Sequence, residues 1–132
     1  VTDIANRVVN YEYDSIGNLT KVSMASPIYP FTDSPIHRYT YNNYHGITTK
    51  TNPLNETYTI EYQYADRGIV SKITDPQVKA MTNAYDFKNG IFYITDYNGA
   101  KKKKIINEQG KLIQEEQIEG ASSKTIKKIE YL

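Results

Sequence analysis

The chain predicts an all-β fold: an antiparallel up-and-down meander of successive β-hairpins forming a curved open sheet or partial barrel. Three observations predict it. Apolar and polar residues alternate with period two over long stretches, the pattern of strands whose side chains point to opposite faces in turn. A short segment recurs in degraded form, and its marker glycines Gly17, Gly46, Gly68, Gly90 and Gly110 stand 29, 22, 22 and 20 residues apart. Helical character is confined to one short segment, residues 75–85.

Taken in order, YEYDSIGNLTKV (11–22) places Tyr11 and Tyr13 on one face, reverses through a polar turn at Gly17 and resumes alternation. Residues 25–37, ASPIYPFTDSPIH, break the pattern. Pro27, Pro30 and Pro35 withdraw backbone donors and set φ, so an inserted Pro-rich loop is expected here, not a central strand. YTYNNYHGITTKT (39–51) is a second copy, with one extra residue before its glycine. TYTIEYQYA (57–65) is the clearest strand: Tyr58, Ile60, Tyr62 and Tyr64 share one face, and Thr57, Thr59, Glu61 and Gln63 the other. That is the pattern of a sheet with one covered side. It runs into the third copy, YQYADRGIVSKI (62–73), and DPQVKAMTNAY (75–85) is compatible with a short helix after Pro76.

YDFKNGIFYI (85–94) and IINEQGKLIQEE (105–116) are weaker copies. The Asn-Gly pairs at 89–90 and 98–99 point to type I′ turns, which need positive φ at both central residues. Glycine suits each reversal because it takes positive φ without a Cβ clash. Two strands per hairpin, with neighbours pairing in sequence order, give about eight to ten strands. A sheet that wide curls or closes.

At 132 residues the chain has the length of a single domain, 1–132. One compact body of that size would bury roughly two-thirds of the surface its unfolded form exposes. The apolar fraction is only 39% while 13 residues are tyrosine, so phenol rings must supply much of the packing surface. Sixteen Lys and Arg against fifteen Asp and Glu leave a net charge of +1, no overall field to gather nucleic acid or an anionic membrane. No cysteine is present, which removes disulfides, thiolate metal sites and cysteine nucleophiles together. No apolar run approaches a membrane span and no signal-peptide pattern opens the sequence. The chain starts on Val1 and not on Met, which is compatible with a targeting segment already removed.

YEYDSIGNL and its copies resemble the YD repeats of Rhs-type and teneurin-type surface proteins, and small exported YD-like domains of unknown function common in Bacteroidetes. The resemblance implies hairpins contributed one per repeat to a large sheet, and an exported, periplasmic or cell-surface location. Only residues 11–22 carry the full pattern; Asp14 becomes Asn42 in the second copy and Ala65 in the third. Rhs cores that encapsulate toxins typically end in an autoproteolytic Asp-Pro-any-Gly-Leu motif. Here Asp75-Pro76 is followed by Gln77 and Val78, so that motif is missing and the small domains are the better match.

Two readings stand for the aromatic residues Tyr11, Tyr13, Tyr39, Tyr41, Tyr58, Tyr62 and Tyr64. Rings lined up on a sheet stack on sugars or clamp a peptide; equally, they serve as cross-strand packing pairs. In the loop, Tyr29 and Phe31 are either exposed binding aromatics or a lid over an open end of the sheet. The run Lys101 to Lys104 is expected in an edge strand, where lysine discourages pairing with other chains, or in a solvated turn. Alternation leaves at most two of these lysines on each side, which dilutes any basic patch.

His37, His45 and Asp33 lack the spacing of a metal site and read as surface groups, so neither metal nor cofactor is expected. No Gly-x-Ser-x-Gly elbow is present, and Glu115 and Glu116, being adjacent, face opposite ways in a strand. The sequons at Asn18 and Asn55 read as chance. Aromatics are not interleaved with a basic stripe, so no nucleic-acid partner is expected.

The expected function is therefore a non-catalytic exported or cell-envelope β module for adhesion, scaffolding or ligand binding, with a glycan or a protein at the cell surface as partner. One alternative is an enzyme with a site under the 25–37 loop, built from Asp33, His37 and a carboxylate of the sheet. Another is a segment of a longer YD-repeat protein. The sequence sets no oligomeric state.

Overall fold

The computed structural model describes residues 1–2, 8–25, 35–120 and 122–130. Eleven strands follow one another in chain order in one open, antiparallel sheet: β1 (Val8–Tyr13), β2 (Leu19–Ala25), β3 (Ile36–Tyr41), β4 (Ile47–Thr51), β5 (Thr57–Tyr64), β6 (Ile69–Thr74), β7 (Ala80–Asp86), β8 (Ile91–Thr95), β9 (Lys101–Ile106), β10 (Leu112–Glu119) and β11 (Ser122–Lys128). The all-β, up-and-down architecture is the one expected, in its open form. Among the described residues the helical backbone is a single 3-10 turn, Ala65–Arg67. The chain divides into two compact units, Val1–Ile69 and Val70–Leu132.

Six turns share one construction. In the first, the Asp14 N–H donates to the Asn18 carbonyl at 2.9 Å and the Gly17 N–H donates to the Asp14 carbonyl at 3.2 Å. The Asp14 side-chain Oδ1 accepts from the N–H groups of Ile16 and Asn18. The same pattern recurs at Asn42–Gly46, Asn52–Glu56, Asp75–Lys79, Asp96–Ala100 and Asn107–Lys111. A short acidic or amide side chain thus does the work of a backbone turn, and the fourth residue takes positive φ. That residue is Gly17, His45, Asn55, Val78, Gly99 or Gly110.

This construction corrects several expectations. Gly46 is not the positive-φ residue of its turn; His45 is, at φ 63°. The extra residue before the glycine shifts it to the fifth position, where it is needed for space: an added Cβ would lie 2.8 Å from Asn42 Nδ2 and 2.9 Å from two atoms of the Tyr62 ring and hydroxyl. Gly17, Gly68, Gly90 and Gly110 do have positive φ, as expected. Type I′ turns are not formed at the Asn-Gly pairs, because neither Asn89 nor Asn98 has positive φ. In the second pair, Asp96 organises a longer turn in which Gly99 alone is left-handed.

Residues 75–85 form no helix. Pro76 sits at the second position of an Asp75-led turn, where its fixed φ fits, and β7 begins at Ala80. Pro53 occupies the same position after Asn52. The eleventh strand exceeds the expected count. SSKTIKK has almost no apolar alternation to announce it, and pairing with β10 alone extends it.

The expected covered side is covered only in part: in β5, Ile60 and Tyr62 are half-buried while Thr57, Thr59, Glu61 and Gln63 are exposed. Among the described residues no apolar side chain is buried; the two buried residues are Asn18, 7% exposed, and Glu116, 8% exposed. Tyr58 and Tyr64, on the face expected to be covered, are each 40% exposed. Neighbouring rings and side chains therefore shield one another only in part within the layer, and no described apolar residue is fully removed from water.

Candidate functional site

In the unit Val1–Ile69, pairing register sorts the side chains onto two faces. Tyr11 lies opposite Val22, Val22 opposite His37, Tyr39 opposite Lys50, and Lys50 opposite Tyr58. With alternation along each strand, Tyr11, Tyr13, Tyr39, Tyr41, Tyr58, Tyr62 and Tyr64 all belong to one face. The other face carries the Glu12–Lys21 ion pair at 2.7 Å and a set of threonines from β3, β4 and β5.

The seven tyrosines divide by task. Tyr41 donates its hydroxyl to the Leu19 carbonyl at 2.7 Å, and Tyr62 donates to the Ile47 carbonyl at 2.9 Å. Leu19 and Ile47 are the residues that follow the first and second Asx-led turns, so each hydroxyl ties a hairpin to the one before it. Burial, then the neighbouring Tyr39 and Asp14, push the Tyr41 phenol up from its ordinary pKa. Tyr11 and Tyr13, 47% and 61% exposed, present solvent-facing surface on β1, as do Tyr58 and Tyr64 on β5. The Arg67 guanidinium sits 5.8 Å from the Tyr64 ring centroid.

Beside these rings the first two turns interlock. Asn18 donates its side-chain amide to Asp14 Oδ2 at 2.8 Å, and His45 Nδ1 meets Asn18 Oδ1 at 2.6 Å. The Asn18 amide, helped by three backbone N–H groups, holds the Asp14 carboxyl below its ordinary pKa despite desolvation. His37 belongs to β3 and not to the loop; its Nδ1 is enclosed with no hydrogen-bond partner among the described residues. Asp33, which the enzyme alternative needs, lies with Tyr29 and Phe31 outside the described residues. Among the described residues no three potential metal ligands converge.

In the unit Val70–Leu132, a cavity of about 430 Å³ opens between the turn after β7 and the turn after β9, lined by Phe87, Lys88, Gly90, Ile106, Asn107 and Glu108 among others. Phe87 stacks on Tyr85 with centroids 5.8 Å apart, and both meet Phe92 edge-on.

The lysine run forms β9, an interior strand between β8 and β10, not an edge or a turn. Two of its four charges are matched across the ladder: Lys102 pairs with Glu115 at 3.1 Å and Lys103 with Glu116 at 3.3 Å, on opposite faces as adjacency requires. The Lys102 hydrogen bond is the main cause of a lowered Glu115 pKa, with Lys104 and Lys127 adding to it. At Glu116, desolvation opposes ionisation, but bonds from Lys103, Gln114 and Ser123 outweigh it and hold this carboxyl low as well.

The tyrosine face was thus legible from alternation, whereas the division of its hydroxyls between folding and display was not. The Asx residue three positions before six of the left-handed residues was an available signal that the glycine pattern obscured. A scan against family models and a search of curated proteins found no match to this chain.

Proposed function

We propose that the protein is a non-catalytic β-hairpin-repeat module of the exported or cell-envelope kind, using its tyrosine face to bind a surface glycan or peptide. One observation carries this reading: Tyr11, Tyr13, Tyr58 and Tyr64 stand on one face of β1 to β5 with 40% or more of each side chain open to solvent. Tyr41 and Tyr62 supply the rigidity. Rings held on strands whose turns are tied by side chains lose little freedom on binding, which favours affinity. The likeness of residues 11–22 and their copies to YD repeats supports the export and surface assignment.

A glycan array and a peptide-library screen of the intact chain test the reading. Binding that falls on Tyr58→Ala or Tyr64→Ala, and survives Thr59→Ala on the opposite face, supports it. A folded wild-type chain that binds nothing in either screen removes ligand binding and leaves a scaffolding role.

A further inference from the structure

Register in the unit Val70–Leu132 brings together lysines that the sequence holds apart. Lys104 lies opposite Glu115 and Glu115 opposite Lys127; Lys102 lies opposite Gln117 and Gln117 opposite Lys124. All six positions share one face. Lys124 and Lys127 are three apart, and strict alternation would put them on opposite faces. The bulge between Glu115 and Glu116, which leaves Ile126 without a partner position, returns them to the same one. The backbone positions of the four lysines therefore mark the corners of a rectangle of roughly 7 by 10 Å, with Glu115 inside its outline. Lys104, Lys124 and Lys127 make no direct ion pair among the described residues. Glu119, the other carboxylate on this face, lies opposite Ser122 at the strand end.

Beyond β9 that face carries apolar side chains, with Asn83 among them. Phe92 lies opposite Lys104 and Ile94 opposite Lys102, while Tyr85 lies opposite Phe92 on the far side. Phe87, 48% exposed as a residue, stacks on Tyr85. A lysine rectangle continuous with an aromatic cluster is the composition of an interfacial surface: ammonium groups at the level of anionic headgroups, rings at the boundary with the acyl chains. The charges extend in two dimensions, which suits a planar array of headgroups better than a single polymer strand.

We propose that the face of the unit Val70–Leu132 bearing Lys102, Lys104, Lys124 and Lys127 with Phe87, Tyr85 and Phe92 docks peripherally on an anionic lipid bilayer. Its residues belong to the second unit and include none of the seven tyrosines named for the first. Juxtaposed lysines attract anionic leaflets within a Debye length, so the association is reversed by salt. Glu115 is a built-in brake, because its carboxylate competes with the lipid for the same lysines.

Sedimentation of the intact chain with vesicles tests the proposal. Vesicles of phosphatidylcholine with one-third phosphatidylglycerol are expected to carry the protein down at low salt and release it at high salt, while pure phosphatidylcholine vesicles leave it in solution. A Lys104→Gln, Lys127→Gln double variant, folded by circular dichroism, should bind about thirtyfold more weakly. Phe87→Ser should bind more weakly and Glu115→Gln more tightly, while Lys21→Gln and Lys50→Gln in the other unit leave binding unchanged. If the double variant fails to fold, the salt series and Glu115→Gln decide. Absence of binding to anionic vesicles, equal binding to both vesicle types, or Glu115→Gln without a gain overturns the proposal. Capture by a soluble polyuronate in preference to vesicles also overturns it, reassigning the face to an acidic polysaccharide.

Discussion

In Val1–Ile69 one hairpin is tied to the next by neutral phenol hydroxyls, Tyr41 to Leu19 and Tyr62 to Ile47, whereas in Val70–Leu132 the adjoining strands β9 and β10 are tied by lysine–glutamate pairs. Composition follows the same division. The first unit holds nine of the 13 tyrosines, with five Lys and Arg against seven Asp and Glu; the second holds eleven against eight. The near-neutral whole therefore conceals two units of opposite sign. The difference teaches that one backbone plan, Asx-led turns joining short strands, accepts two kinds of lateral tie. Directional hydrogen bonds to carbonyls are insensitive to salt, while exposed ion pairs are screened by it.

The largest effect expected from this contrast is at Gly46. Gly46→Ala drives a Cβ into Asn42 and the Tyr62 ring and should cost about 2–3 kcal/mol in urea unfolding. Gly110→Ala, which meets open space but sits at φ 76°, should cost about 1 kcal/mol. Equal costs would mean that the Tyr62 tie does not set the need for glycine. Next, Tyr41→Phe and Tyr62→Phe should each lose about 1 kcal/mol, with the same loss at low and high salt.

Salt itself should then separate the units. Raising ionic strength to 1 M should weaken the β9–β10 pairs by at most about 1 kcal/mol, read as faster amide exchange there and not in β3 to β5. Smallest is the acid response. Asp14, Glu115 and Glu116 have folded pKa values below their ordinary ones, so each adds stability above its unfolded pKa and loses it as pH falls through the lower folded value. Asp14→Asn should lower stability slightly at neutral pH: an amide keeps the two backbone bonds, as Asn42, Asn52 and Asn107 do in their turns, but loses the acceptor for the Asn18 amide. It should remove that part of the acid sensitivity in the first unit, as seen in a pH series of thermal melts.

Much of the plan was open to inspection in the linear chain because its causes are local. Alternation in TYTIEYQY depends on backbone geometry alone, and it put Tyr58, Tyr62 and Tyr64 on one face before any partner strand was known. Reversal at Gly17, Gly68, Gly90 and Gly110 needs only the freedom of positive φ. Turns led by Asp75 and Asp96 were equally local but were obscured by a misread proline and an Asn-Gly pair. Lateral relations had no such local cause. Which tyrosine reaches a carbonyl, why Gly46 must lack a side chain, and how Lys124 and Lys127 come to stand beside Lys102 and Lys104 all depend on strand register and on one bulge. Those are set by pairing between segments distant in sequence, and a shift of a single residue would turn every side chain in the strand to the opposite face.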